Sequence, residues 1–112
     1  MLATSRAPAV TATIDLSSAD LAILRAVLRD RVPPDIRVWV FGSRATGGAR
    51  RYSDLDLALE ADGPIDPDTI AWLRSALSES DLTIKVDVID LRGIDAGFRR
   101  LIQGGMVALP RE

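Results

Sequence analysis

The chain from Val38 to Glu60 reads VWVFGSRATGGARRYSDLDLALE. It divides into an apolar strand, a Gly42-Ser43 turn, a basic Gly-rich loop and a second strand that carries two acids. Side chains alternate across an extended strand, so Asp54 and Asp56 point one way and Leu55, Leu57 and Leu59 the other. The two carboxylates then share a face, about 7 Å apart along the strand. Such a pair repels itself unless a cation lies between, and hard oxygen ligands suit a magnesium ion that also takes phosphate oxygens. Upstream, Gly42-Ser43 follows a strand and opens a short helix, which aims backbone N–H groups and a hydroxyl at an anion. Taken alone, Gly42-Ser43 is an ordinary turn and Asp-x-Asp a solvated strand edge. Their conjunction reads as a nucleotide site, because carboxylates set among leucines are costly without a partner.

Gly42-Ser43, ten residues, then Asp54-Leu55-Asp56 resembles the G-S…D-x-D signature of the nucleotidyltransferase superfamily that contains DNA polymerase beta. The brevity of the chain is similar to that of the minimal nucleotidyltransferases, often antitoxin partners of HEPN-domain toxins. That family has a third carboxylate on a later strand, and Asp87 in Lys85-Val86-Asp87-Val88-Ile89-Asp90 matches it. The resemblance spans roughly residues 36–91. It implies a polymerase-beta-like α/β (α+β) fold, a small mixed β-sheet with helices packed on it. It further implies that Asp54 and Asp56 bind two magnesium ions. Asp87 would bind only the ion that holds the attacking hydroxyl, and would be placed to take its proton.

The chain has 112 residues, enough for one domain with a single core and too few for a separate substrate module. Residues 1–13 read as a loose tail and 14–112 as the domain. Fourteen basic against sixteen acidic residues leave a net charge of −2, so no global field draws the protein onto nucleic acid. There is no cysteine and no histidine, which excludes disulfides, thiolate metal sites and imidazole bases. Carboxylates, lysine, tyrosine and hydroxyls remain for chemistry. No apolar run approaches the roughly eighteen residues of a membrane span, and Pro8 interrupts any signal pattern. The expected location is cytoplasmic.

Ser17 is a helix N-cap, with Leu16 and Leu21 in the staple positions. Leu21, Leu24, Val27 and Leu28 form the helix's apolar stripe, while Asp20, Arg25, Arg29 and Asp30 are expected to face water until Pro33-Pro34 stops it. A strand follows from Ile36 to Phe41, with Trp39 in the core or at an interface. Asp66-Pro67 opens a second helix whose inner face is Ile70, Leu73 and Leu77, with Trp72 at its margin. Thr83 to Ile89 reads as the third strand, with Asp87 on one side and Val86 and Val88 on the other. Asp90 then faces away from Asp87. A short helix is predicted from Ile94 to Gln103 with Phe98, Leu101 and Ile102 inward and Arg99 and Arg100 outward. Gly104-Gly105 ends it, and Met106 to Leu109 can add an edge strand.

Around the acids several readings stay open. Ser43 would offer its hydroxyl and N–H to phosphates, with Gly42 allowing the approach. Arg44 reads either as a phosphate clamp or as a solvated helix residue. Arg50 and Arg51 form a basic patch or a plain exposed loop. Lys85 shares the face of Asp87 and either neutralises the acids or meets phosphate, and Tyr52 either stacks on a base or packs in the core. The expected activity is nucleotidyl transfer, in which a hydroxyl attacks the α-phosphorus of ATP and pyrophosphate leaves. The resemblance implies an antitoxin that moves AMP onto a hydroxyl of its HEPN toxin. An alternative is a non-catalytic module that occludes a partner, and a third is a small-molecule nucleotidyltransferase completed by a homo-oligomer.

Overall fold

Ser17 accepts the Asp20 N–H at 3.0 Å and opens α1 (Ser18–Arg31), which ends where Val32 N–H returns to the Leu28 carbonyl just ahead of Pro33-Pro34. The computed structural model describes residues 14–110. The predicted tail at residues 1–13 and the last two residues lie outside that range. After α1 come β1 (Arg37–Phe41), a single helical turn α2 (Ser43–Thr46), β2 (Leu55–Glu60), α3 (Pro67–Glu79), β3 (Val86–Asp90), α4 (Ala96–Gln103) and the short β4 (Val107–Ala108). As its sequence predicts, Asp66 caps α3 through the Asp68 N–H, with Pro67 in the first helical position, where no N–H is missed.

The four strands form one mixed sheet in the order β3-β2-β1-β4. β1 is antiparallel to β2 and to β4, while β2 and β3 run parallel and are joined through α3. Strand alternation gives the two faces different work. Val38, Val40, Leu55, Leu57, Leu59 and Val88 point to one side, where Leu24 and Leu28 of α1 and Leu73 and Leu77 of α3 close the main core. The other side carries Trp39, Phe41, Asp56, Ala58, Asp87 and Ile89. A smaller cluster of Phe41, Ala58 and Leu91, with Ile94, Ile102 and Met106 against it, covers part of that face. The rest is open.

Three sequence expectations change here. Asp20 does not face water: it is 5% exposed, and its carboxylate accepts the Thr83 hydroxyl at 2.6 Å and the Thr83 N–H at 3.1 Å. Those bonds tie α1 to the segment leading into β3 and hold the carboxyl below its ordinary range. Arg25 is half-buried instead of solvated. On α4 the apolar stripe is not swallowed by a core. Leu101 is 78% exposed and Phe98 38%, whereas Arg99 turns back to donate to the Leu91 carbonyl and to pair with Glu60. A short helix laid on a half-covered sheet face has no second layer to bury a wide stripe.

Candidate active site

β1 delivers Phe41 and then the chain turns at Gly42, whose φ of +78° is a left-handed conformation that glycine adopts without strain. A Cβ there would run into the carboxylate of Asp56. The turn therefore needs glycine twice, for its backbone and for the acid it lies against. The Gly42 carbonyl accepts the N–H groups of Ala45 and Thr46 at 3.0 Å each and the Thr46 hydroxyl at 3.1 Å, which winds the one turn of α2 and leaves Ser43 at its start, half-exposed.

The sheet register sets the acids. Phe41 pairs with Asp56 across β1 and β2, and Asp56 pairs with Asp87 across β2 and β3, so the three side chains form a row on the open face. Asp54 lies immediately before β2, exposed, two residues from Asp56. Asp90 pairs with Leu59 on the other face, where alternation puts it. A cleft of about 820 Å³ opens above this row, and Gly42, Asp56, Arg74, Lys85 and Asp87 form its polar part. Phe41, Ile89, Phe98 and Ile102 form its apolar wall.

Asp56 carries the electrostatic signature of the site. Burial pushes its carboxyl above the ordinary range, and the negative charges of Asp87 and Asp54 push in the same direction. Among the described residues, no three acidic side chains are gathered closely enough to hold a metal ion as they stand. The two observations agree, because Coulomb repulsion acts over a longer range than a coordination bond. The donor set suits a hard divalent cation in kind: hard oxygens only, with repulsion that a cation would relieve.

Arg44 is neither solvated nor free to clamp a phosphate. It is 6% exposed, and its guanidinium donates to four backbone carbonyls: Asp15 at 2.7 Å, Ser53 at 3.0 Å, and Arg50 and Arg51 at 3.2 Å each. Its work is to fold the loop between α2 and β2, so that Asp54 leads into the strand and Asp56 sits on it beside the Gly42 turn. Arg50 and Arg51 are exposed, and the Arg51 guanidinium lies 5.5 Å from the ring centre of Tyr52. Tyr52 is 76% exposed, which removes the core-packing reading of that residue.

Glu60 organises the far end of the same face. Its Oε1 accepts the Trp39 indole N–H at 3.0 Å and the Arg37 Nε–H at 3.2 Å, and Arg99 of α4 stands 3.9 Å from Oε2. These partners, Trp39 first, hold the Glu60 carboxyl below its ordinary range. The role of Phe98 as cleft wall was not legible in the sequence. The available signal was its place on a strongly amphipathic helix, which reads equally as core.

Residues 24–109 match the family described as Polymerase beta, Nucleotidyltransferase. Over 92 residues the chain is 44% identical to the probable protein adenylyltransferase MntA of Haemophilus influenzae, covering 82% of this chain and 80% of that protein. Its fold is similar to a chain in a crystal structure of a toxin-antitoxin with AMP-PNP (TM-score 0.65, 26% identity), over 82% of this chain and 73% of that one. A second likeness, at 23% identity, bears on fold alone: a tri-AMPylated Shewanella oneidensis HEPN toxin in complex with MNT antitoxin (TM-score 0.59), over 84% of this chain and 71% of that one. The Gly42-Ser43 turn and the acids of β2 and β3 lie inside all the matched family range, and this chain belongs to the polymerase beta nucleotidyltransferase family.

Proposed function

We propose that the protein is a magnesium-dependent adenylyltransferase that moves AMP from ATP onto a hydroxyl of a HEPN-type toxin partner and so acts as its antitoxin. The observation that carries this reading is the register of Asp56 against Asp87 beside Gly42, with Asp56 under repulsion from both other acids. The protein adenylyltransferase name of the 44% identical relative supports AMP transfer to a protein. The toxin-antitoxin with AMP-PNP supports an adenine nucleotide and a toxin partner.

Asp54, Asp56 and Asp87 would hold two magnesium ions, which when bound offset charge on the attacking and leaving oxygens. The chain's own residues do the rest. Gly42 and Ser43 present the turn to the triphosphate, Asp56 fixes it from the neighbouring strand, and Asp87 accepts the acceptor's hydroxyl proton as the new oxygen–phosphorus bond forms and pyrophosphate departs. Lys85, on the rim beside Asp87, adds positive charge near the phosphates.

A binding-only reading has one observation in its favour, the exposed Trp72 at 60% on the outer side of α3. Incubating the protein with α-labelled ATP, magnesium and a folded HEPN-type partner separates the two. Label on the partner with wild-type protein, and none with Asp56→Asn, is the expected result. Neutralisation of the toxin by Asp56→Asn as complete as by wild type, with no label in either case, would establish occlusion instead.

A further inference from the structure

Phe98 is a large apolar side chain left 38% exposed on a helix that has no buried residue, and it faces a cleft instead of a core. Its ring stands edge-on to Phe41, with centroids 6.3 Å apart and planes at 82°. Phe41 is itself the neighbour of Asp56 in the sheet register, so the aromatic pair begins one strand spacing, about 4.8 Å, from the acids. The cleft is thus graded along one direction. Across the strands the lining runs from Phe41 to Asp56 to Asp87 in register, with Phe98 and Ile102 gathered at the Phe41 side and the charged Lys85 and Arg74 also in the lining.

We infer that the Phe98 end of this cleft is the nucleobase subsite and that Phe98 is its stacking residue. The inference rests on the nucleotide reading proposed above and adds where the base lies. A nucleoside triphosphate is graded in the same sense, with anionic phosphates at one end and a flat, weakly polar ring at the other. The cleft of about 820 Å³ falls within the usual range for small-molecule sites, roughly 300–1,000 Å³. The ring is also held in place. Arg99, next to Phe98 in α4, donates to the Leu91 carbonyl at 3.3 Å and stands 3.9 Å from Glu60, which pins the helix over the sheet. Stacking on a fixed aromatic face tolerates any base and favours purines by area.

The test compares magnesium-ATP with magnesium-tripolyphosphate, which has the phosphates and no base, by calorimetry on the full chain. Phe98→Leu is expected to weaken ATP binding about tenfold and to leave tripolyphosphate binding unchanged, while Phe98→Tyr stays near wild type. Leu101→Ala, on the same helix outside the cleft, is the control. A measurement on unmodified protein runs in parallel: the fluorescence of 2-aminopurine riboside triphosphate is expected to be quenched on binding, whatever the folding of the variants. Equal ATP affinity in wild type and Phe98→Leu, or no quenching of the bound probe, overturns the subsite alone. Wild-type protein that binds neither ATP nor tripolyphosphate overturns the subsite together with the reading it rests on.

Discussion

Asp56 and Asp87 stand opposite each other in the parallel ladder of β2 and β3, on the face of the sheet that α1 and α3 leave open. Burial disfavours the charged form of Asp56, and repulsion from Asp87 and Asp54 adds to the cost. A fold keeps such an arrangement when a cation and a charged ligand repay it.

Replacing Asp56 with Asn should therefore divide activity from stability. Nucleotidyl transfer is expected to fall on the order of 10³-fold, since ligands that stabilise several kcal/mol of developing charge are lost. The melting temperature should stay level or rise, because a desolvated and repelled charge has gone. Labelled-AMP transfer alongside calorimetric melting checks both halves. A variant with unchanged turnover would remove Asp56 from the chemistry.

Gly42→Ala tests the turn. The substitution places a Cβ at φ +78° and against the Asp56 carboxylate. At ψ −161° this backbone lies in a region essentially reserved for glycine, so the backbone part costs about 1–3 kcal/mol whatever lies nearby, and the contact adds to it. In the double variant Gly42→Ala/Asp56→Ala the contact has gone, so its destabilisation should be less than the sum of the two single changes. Strict additivity in urea melts would show that the turn and the acid are not in contact.

Much of this site was legible because strand alternation is a local rule. Leu55-Asp56-Leu57 and Val86-Asp87-Val88 each declare which residue leaves the core, and the Ser17 and Asp66 caps declare where helices begin. Alternation does not state that β3 lies beside β2 in a register that matches Asp87 to Asp56; that follows from the α3 crossover. Asp20 was misread because its partner, Thr83, is 63 residues away. Arg44 was misread because the groups that bury it are backbone carbonyls, which no side-chain pattern announces. Phe98 and Leu101 depart from the expected core because amphipathic spacing identifies an apolar face without saying whether a core, a cleft or solvent lies against it.

Asp20 predicts a pH dependence. Its folded carboxyl titrates below the ordinary value of 3.8, chiefly through the Thr83 hydroxyl, so the unfolded chain binds the proton more readily. The stabilisation is then complete above 3.8 and is lost as pH falls through the lower folded value. Asp20→Ala should cost about 1–3 kcal/mol near neutrality. The gap to wild type should close in the acid window below 3.8. Denaturant titrations of both proteins across that range provide the check, and a gap that stays constant to the lowest pH would refute the assignment.

Arg44→Lys separates a loop-holding arginine from a phosphate clamp. Lysine keeps the charge, and with three donors on one nitrogen it does not span the carbonyls of Asp15, Arg50, Arg51 and Ser53 that the planar guanidinium joins. If the residue holds the loop, the variant should lose about 2–4 kcal/mol of stability, the loss expected when hydrogen bonds to a buried charged group are broken. Amide exchange should then quicken locally at residues 47–54 while α3 stays protected. If it were a phosphate clamp, lysine would largely rescue nucleotide binding and the loop amides would exchange as in wild type. The four carbonyl bonds already saturate most of the side chain's five donors, so the stability loss and the local exchange are the expected outcome.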